Sequence, residues 1–115
     1  MVIDDNEGIL FAVKSALIFK GYEVHTAETF EGVSAVVSVA PDLLYLDVSL
    51  VGNDGRLIAQ ELKGNLQTKY IPIVMLTAYP NASELAKEAG ADDFLAKPFE
   101  LENLWNMTEK HIEQS

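Results

Sequence analysis

The run Leu43-Leu44-Tyr45-Leu46-Asp47 decides the fold class of this 115-residue chain. It consists of four apolar residues in succession, followed by an acid. A strand with one solvated face alternates apolar and polar residues, whereas an unbroken apolar run is typical of a parallel strand covered on both faces. A second such run, Ile73-Val74-Met75-Leu76, follows Pro72 and leads into Thr77. The two runs predict a buried parallel sheet.

Shorter strand-like segments and segments with helical periodicity surround these runs. The additional strands are predicted at Val2-Ile3, Tyr22 to Ala27 and Phe94-Leu95-Ala96. Five helices are predicted from apolar residues three or four positions apart. Their marker residues are, in order, Ile9, Val13, Ala16 and Leu17; Phe30 to Val39; Ile58 and Leu62; Leu85, Ala86 and Ala89; and Leu101, Leu104, Thr108 and Ile112. Gly21, Pro41 and Gly90 are expected to end the first, second and fourth helices.

The alternation of strands and helices predicts one α/β domain over residues 1–115, with a five-stranded parallel sheet and helices on both faces. We interpret Met1-Val2-Ile3 as the tail of a clipped first strand. Ligands of such sheets bind beyond the carboxyl ends of the strands, where the strand order reverses. The residues that follow the strands are therefore the candidates for a site.

Composition argues against several functional classes. Eighteen acids against eight bases give a net charge of −10, and no basic stripe is present. Nucleic-acid binding by this domain is not expected, because phosphate contacts need clustered Lys or Arg. Cysteine is absent, which excludes disulfides and thiolate metal sites. No apolar run approaches the ~20 residues that cross a bilayer, and no secretory leader is recognisable, so we expect a cytoplasmic protein without a membrane partner.

Chemically complementary side chains follow four of the predicted strands. Asp4 and Asp5 follow the first strand, Asp47 the third, Thr77 the fourth and Lys97 the fifth. Each carboxylate in a crowded group raises the free-energy cost of ionising its neighbours. A hard divalent cation such as Mg²⁺ relieves this repulsion by binding the carboxylate oxygens as ligands. One carboxylate of such a site can act as a nucleophile toward phosphorus, while the metal, the ammonium and the hydroxyl bind phosphoryl oxygens.

Each of these residues also has an ordinary structural explanation. Asp4 and Asp5 precede a helix and could cap it, and Asp47 could be a turn acid. Thr77 could be a β-branched strand residue, and Lys97 a surface lysine in a turn. Complementary chemistry at four separate strand ends is not expected from capping, so the joint pattern favours a functional site.

The segments that carry these residues resemble the receiver domains of bacterial two-component response regulators, the chemotaxis receiver among them. The resemblance covers the chain from Val2 to the final helix. It implies a flavodoxin-like, doubly wound fold with the strand order 2-1-3-4-5. The matching segments are Val2-Ile3-Asp4-Asp5-Asn6, Leu43-Leu44-Tyr45-Leu46-Asp47, Asp54-Gly55, Val74-Met75-Leu76-Thr77-Ala78, Gly90-Ala91-Asp92-Asp93-Phe94 and Lys97-Pro98-Phe99.

The resemblance implies a role for each acid and for the loop after the third strand. Asp47 corresponds to the phosphoacceptor. Asp5 corresponds to the direct ligand of Mg²⁺, and Asp4 acts on the metal largely through water. Ser49 would offer its backbone carbonyl to the metal. The family usually has a proline where this chain has Val51, so we expect the loop from residue 49 to residue 53 to be freer than usual.

The resemblance also implies a switch. Thr77 would bond a phosphoryl oxygen and move toward it, and Lys97 would pair with the phosphoryl group and precede a cis bond to Pro98. Phe94 occupies the position of the switch aromatic, although an aromatic in a strand is equally explained by core packing. Tyr79 would lie near the path of the hydrolytic water.

The implied function is phosphoryl transfer to Asp47 from a sensor histidine kinase or a histidine phosphotransfer protein, followed by rearrangement of the face built from the fourth helix, fifth strand and fifth helix. Such a domain is regulatory rather than an enzyme, with at most self-phosphorylation from small donors and autodephosphorylation. An output domain outside this chain is a further expected partner. The last helices leave room for a homodimer, although no residue pattern requires one.

Two alternatives remain at the sequence level. A receiver-like binding module that signals without phosphorylation is supported only by Val51. An aspartate-nucleophile phosphatase would need two acids two residues apart after the first strand. Asp5 and Glu7 fit that spacing, but the assignment leaves Asp47 unexplained.

Overall fold

Strands and helices alternate throughout the part of the chain that the computed structural model describes, residues 1–112. The strands are β1 (Val2–Ile3), β2 (Thr26–Ala27), β3 (Leu44–Asp47), β4 (Ser49–Leu50), β5 (Asn53–Asp54), β6 (Ile73–Thr77) and β7 (Asp93–Ala96). The helices are α1 (Glu7–Phe19), α2 (Val33–Val39), α3 (Gly55–Lys63), α4 (Ala82–Ala89) and α5 (Leu101–Ile112).

Five strands form a parallel sheet in the order β2-β1-β3-β6-β7. β4 and β5 form a separate small ladder, so β6 and β7 are the fourth and fifth strands of the main sheet along the chain. The order of the main sheet therefore confirms the predicted 2-1-3-4-5. The strand order reverses between β1 and β3, where Val2 pairs with Tyr45 and Ile3 with Leu46. The carboxyl ends of β1 and β3 therefore lie side by side.

The sheet separates two apolar cores. Leu44, Leu46 and Met75 point toward α2, α3 and α4, and Tyr45 and Val74 point toward α1 and α5. All five side chains are almost fully buried, as the unbroken apolar runs predicted. None of the helices in residues 1–112 combines the length and the apolar character needed to cross a membrane.

Two elements are shorter than predicted. The second strand was predicted from Tyr22 to Ala27 but pairs only at Thr26 and Ala27. The second helix was predicted from Phe30 but begins at Val33, because Gly32 precedes it with a φ of 100°, which is not helical. Phe30 instead packs from the side against the core beneath α2, α3 and α4.

The segment after β3 is not a free loop. Ser49 pairs with Asp54 and Leu50 with Asn53 in an antiparallel ladder, and the turn between them contains Gly52 at a φ of 77°. That this segment is freer than usual stays a prediction; a glycine at the left-handed position lets the chain reverse here without the usual proline. Val51 itself is 81% exposed at the tip of this turn.

Candidate functional site

Two acids at the end of β1 are held in different ways. Asp4 is fully buried, and its Oδ1 accepts a hydrogen bond of 2.9 Å from the backbone N of Asn6. Asp5 is half-buried, and its Oδ2 accepts one of 2.9 Å from the backbone N of Val51 at the β4–β5 turn. The side chain that caps α1 is that of Asn6, which accepts from the N of Ile9 at 3.0 Å. Helix capping therefore does not account for the two acids.

Asp47 ends β3 beside these acids and is only 6% exposed. Carboxylate oxygens of Asp4, Asp5 and Asp47 all lie within 4.8 Å of one another. The position of Asp47 follows from the parallel pairing of β1 with β3, which places the carboxyl ends of the two strands at the same edge. Three acids that are distant in sequence thus form one cluster, as their strand-end positions predicted.

Lys97 supplies the cation of this cluster. Its Nζ donates to Asp4 Oδ2 at 2.8 Å and to Asp47 Oδ1 at 3.3 Å. The backbone N of Lys97 donates to the carbonyl of Thr77 at 2.7 Å, so pairing between the ends of β6 and β7 positions the lysine. The Lys97–Pro98 peptide bond is cis, in agreement with the expectation from the resemblance.

The cluster is electrostatically frustrated. Burial raises the pKa of Asp47, and the nearby charge of Asp4 raises it further, while Lys97 only partly opposes both effects. Burial disfavours the charged form of Lys97, but its contacts with Asp4 and Asp47 outweigh this effect and raise the pKa of the ammonium. One ammonium therefore balances three carboxylates incompletely, and this is the arrangement that a divalent cation would relieve.

The described residues fit a magnesium ion by their chemistry. Mg²⁺ prefers carboxylate oxygens, retains several waters and uses one or two carboxylates together with phosphate oxygens. Asp5 keeps partial exposure beside two buried acids, so one ligand of the cluster remains accessible from solvent. Ser49, the fourth predicted ligand, is exposed, and its backbone N donates to Asp47 Oδ1 at 3.3 Å.

The other predicted residues lie on β6, on β7 and on the segments that follow these strands. Thr77 is buried, and its Oγ1 accepts from the backbone N of Tyr79 at 2.9 Å. Tyr79 is half exposed, and its hydroxyl lies 2.9 Å from Ser49 Oγ, which links the β6–α4 loop to the β4 strand. Phe94 is half-buried and packs against the core beneath α4, and Pro98 is exposed.

Backbone features of the site were missed by the reasoning from sequence. The N–H of Val51 that holds Asp5 is a main-chain group, so no side-chain pattern could announce it. Gly55 lies so close to β3 that a Cβ on it would come within 2.1 Å of the carbonyl oxygen of Asp47. The Asp54-Gly55 pair is visible in the sequence, but the close approach that requires glycine depends on the tertiary fold.

Known proteins resemble this chain in sequence. The family model for the response regulator receiver domain matches residues 1–109. Over 107 residues the chain is 37% identical to the response regulator MprA of Mycobacterium tuberculosis, which covers 90% of this chain and 46% of that protein. Over 107 residues it is also 36% identical to the DNA-binding dual master transcriptional regulator RpaA of Synechocystis, covering 90% of this chain and 44% of that protein.

The fold has a close counterpart among solved structures. The receiver domain of NtrX from Brucella abortus superposes with a TM-score of 0.87 at 32% identity, covering 99% of this chain and 98% of that one. By contrast, the chain spans less than half the length of the two curated relatives. The family model covers nearly all the described residues and includes every predicted site residue. The chain therefore belongs to the response regulator receiver domain family of two-component signalling proteins.

Proposed function

We propose that Asp47 is the phosphoacceptor of this receiver domain and that the reaction depends on magnesium held by Asp4, Asp5, Asp47 and the Ser49 carbonyl. The observation that carries the proposal is the cluster of three carboxylates within 4.8 Å with the Lys97 ammonium against two of them. Receiver domains of this family generally bind magnesium. When bound, the metal neutralises negative charge on the phosphoryl oxygens.

The chemistry of the transfer is a displacement at phosphorus. A carboxylate oxygen of Asp47 forms a P–O bond as the P–N bond of a phosphohistidine breaks, and the leaving imidazole takes up a proton. Lys97 stabilises the added negative charge through its ammonium, and Thr77 turns its hydroxyl toward a phosphoryl oxygen. In autodephosphorylation a water attacks phosphorus, the P–O bond breaks, and inorganic phosphate leaves a free Asp47 carboxylate.

The phosphoryl group then acts as a signal. Movement of Thr77 and Lys97 biases a two-state arrangement of α4, β7 and α5, with Phe94 turning inward as Thr77 moves. Support comes from two hydrogen bonds to Thr77: the backbone N of Tyr79 donates to its side-chain Oγ1, and the backbone N of Lys97 donates to its carbonyl. We further propose that the domain is regulatory rather than an enzyme on external substrates. The whole of residues 1–115 would act as one receiver unit.

The partners follow from the same proposal. The phosphoryl donor is a sensor histidine kinase or a histidine phosphotransfer protein, acting in the cytoplasm. The curated relatives extend well beyond the matched region, which supports a signal passed to an output domain. Direct nucleic-acid contact by these residues finds no support in a net charge of −10.

The geometry of the site supports neither of the two alternative functions, the binding module and the phosphatase. A binding module that signals without phosphorylation has no use for a half-buried lysine shared between two buried acids. Val51 has a structural role in the turn, because its backbone N donates to Asp5. The phosphatase pairing gains no support, because Glu7 is exposed in the first turn of α1 and is not in the cluster that Asp5 forms with Asp4 and Asp47.

Acyl-phosphate formation tests the proposal. The protein is incubated with acetyl phosphate with and without Mg²⁺, and the mass of one added phosphoryl group is followed. We expect magnesium-dependent labelling that is lost in Asp47→Ala and retained in Asp42→Ala, a matched change at an exposed acid outside the cluster. Labelling that survives Asp47→Ala, or that ignores the metal, would overturn the proposal.

A further inference from the structure

Two buried hydroxyl groups join the strand that carries Asp47 to the last helix. The hydroxyl of Tyr45 in β3 lies 2.6 Å from Thr108 Oγ1 in α5, and each of these residues is only 1% exposed. Thr108 Oγ1 donates in turn to the carbonyl of Leu104 at 2.8 Å. This network lies within the apolar core between the sheet, α1 and α5, and the proposed phosphoryl transfer makes no use of it.

The direction of the hydrogen bond between the two hydroxyls follows from their protons. Because Thr108 donates its single proton to the Leu104 carbonyl, Tyr45 is the donor to Thr108. Burial raises the pKa of Tyr45 to about 12, so the phenol keeps its proton at neutral pH. A buried hydroxyl that loses its partner cannot turn to water and is left unpaired, which costs free energy. We therefore expect the contact between β3 and α5 to persist when neighbouring elements move.

Trp105 holds the same part of α5 against α1. Its indole Nε1 donates to the carbonyl of Ala16 at 3.0 Å, and its ring stacks on Phe19 with 6.2 Å between ring centroids. Trp105 lies three residues before Thr108, so their contacts fall within about one turn of the helix. Residues 104–108 are called the anchored segment of α5 below, because β3 and α1 hold them from two directions.

The start of α5 is held differently. Leu101, its first residue, is 49% exposed, and the two residues that follow are also exposed. Lys97 lies four residues before Leu101, and its Nζ donates to Asp4 at 2.8 Å and to Asp47 at 3.3 Å. The start of α5 is thus less buried than the anchored segment, and a short stretch of chain joins it to the ammonium beside Asp47. A phosphoryl group on Asp47 attracts that ammonium by its charge.

We propose that the Tyr45–Thr108 hydroxyl pair is the pivot of α5. When Asp47 is phosphorylated, Lys97 moves toward the phosphoryl group and the start of α5 follows it, while the anchored segment stays in place. Tyr45 and Asp47 are two residues apart on β3, so their side chains leave the same face of the strand. The strand that receives the phosphoryl group therefore also carries the fixed point of the helix. This inference rests on the proposed function, because it describes how phosphorylation of Asp47 reaches α5.

A pivot predicts a different result from a contact that only stabilises the fold. A pivot limits where the shift caused by phosphorylation occurs. A purely stabilising contact changes the free energy of unfolding and leaves the location of the shift unaltered. Packed helices move between discrete arrangements and do not deform continuously. Loss of the pivot should therefore let the whole of α5 shift, and not only its start.

Amide NMR spectra in Mg²⁺, with and without excess acetyl phosphate, give the test. In wild type, labelling should shift the resonances of residues 101–103 and leave those of the anchored segment almost unchanged. The indole N–H of Trp105, the single tryptophan, gives a unique resonance from that segment. In Tyr45→Phe the changes on labelling should extend through the anchored segment, and the shift of the indole resonance should grow at least about twofold.

Further variants test the second hydroxyl and control for stability. Thr108→Val leaves Tyr45 only the longer contact, 3.3 Å to the Leu104 carbonyl, so its effect should have the same direction and be smaller. Thr108→Ser keeps the hydroxyl and should retain the wild-type pattern. Thr68 is fully buried, and its Oγ1 donates to the Leu62 carbonyl at 2.6 Å beside the end of α3. Thr68→Val should therefore unfold at lower urea and still show the wild-type pattern in α5.

The outcomes separate the pivot from the function of the site. A wild-type pattern in Tyr45→Phe, or changes spread evenly along α5 in the wild-type protein, would overturn the proposal. The mass of the added phosphoryl group is measured in the same samples. Either result in labelled protein would refute the pivot and leave the proposed function intact. Failure of wild type to become labelled would overturn the proposed function and the pivot together.

Discussion

At the scale of single residues, the charges around Asp47 decide what the site can do. Asp4 is fully buried and bound to Lys97, while Asp47 shares the same ammonium at a longer distance. A carboxylate whose charge is neutralised only by an incoming cation is ready to bind that cation but lowers the stability of the fold while the cation is absent. Functional sites of this kind are places where stability is lowered for chemistry.

Asp47→Asn should stabilise the metal-free protein. The amide keeps the acceptor oxygen that faces Ser49 N and Lys97 but removes one of three crowded charges. We expect the free energy of unfolding in chelator at pH 7 to rise by about 1 kcal/mol, the Coulomb energy of one like-charge pair a few ångströms apart in a high-dielectric setting. Urea unfolding measures this change, and a less stable Asn variant would contradict it.

At the scale of elements, two contacts hold the site strands against their helices. The hydroxyl of Tyr45, in the middle of β3, lies 2.6 Å from Thr108 Oγ1 and 3.3 Å from the carbonyl of Leu104, which ties the strand that carries Asp47 to α5. On the other side of the sheet, Gly55 brings the start of α3 against the backbone of Asp47. The acceptor strand is therefore fixed from both faces.

Tyr45→Phe should cost about 1 kcal/mol at neutral pH, since Thr108 keeps its own bond to the Leu104 carbonyl at 2.8 Å. Burial raises the pKa of Tyr45 from 10.0 to about 12. Between these values the unfolded chain releases the phenolic proton and the folded protein does not, so wild-type stability falls as pH rises through this range. Urea midpoints at neutral pH and within this range should show the difference between wild type and Tyr45→Phe shrinking.

Tyr70→Phe is the control for this comparison, because Tyr70 is 80% exposed. Its substitution should leave the urea midpoint unchanged at neutral pH. If Tyr45→Phe lost stability in parallel with wild type across the alkaline range, the buried phenol would not be the group responsible.

Gly55→Ala should destabilise the protein by about 3 kcal/mol and weaken phosphoryl labelling of Asp47. A Cβ at this position would approach the Asp47 carbonyl oxygen to 2.1 Å and the Cα of Val48 to 2.8 Å, and neither backbone atom can move without shifting the site. Gly8→Ala is the matched control in α1, where the nearest atom is the Asn6 side chain at 3.1 Å. That change should be neutral or mildly stabilising, because alanine favours helix. Equal loss in both variants would contradict the explanation.

At the scale of the whole molecule, parallel strand order brings the ends of distant segments to one edge. Residues 4, 47, 77 and 97 end or directly follow four different strands. The strand order reverses between β1 and β3, at the edge where Lys97 contacts Asp4 and Asp47. Acidic residues outnumber basic residues by eighteen to eight in the chain, and such an excess of exposed charge favours solubility. The cluster of Asp4, Asp5 and Asp47 differs from that exposed charge because two of its acids are buried.

Magnesium should therefore stabilise the whole fold. Binding to the native state alone adds about 1.4 kcal/mol at roughly ten times the dissociation constant. Thermal unfolding followed during a Mg²⁺ titration should show this rise in wild type and in Asp42→Asn, and a much smaller rise in Asp5→Asn. No stabilisation of wild type, or equal stabilisation of all three proteins, would contradict a metal site at the cluster.

The sequence by itself determined the fold class, the strand order by way of a family resemblance, and the residues that would meet at the strand ends. The fold class follows from the unbroken apolar runs that are typical of buried parallel strands. The site residues follow because the carboxyl ends of parallel strands lie at one edge of the sheet. The start of α2 was misplaced, since the conformation of Gly32 cannot be read from a helical pattern that continues on both sides.

Only the tertiary structure decided how the site is held together. The pairing of β4 with β5, the main-chain bond from Val51 to Asp5 and the approach of Gly55 to Asp47 all depend on backbone atoms, which every residue carries alike. The same is true of Lys97, which was predicted at the edge of the sheet, because its contacts with Asp4 and Asp47 depend on how the strand ends pack. Side-chain patterns specify which residues are buried and which edge they reach, whereas distances between backbone groups are set by packing of the completed fold.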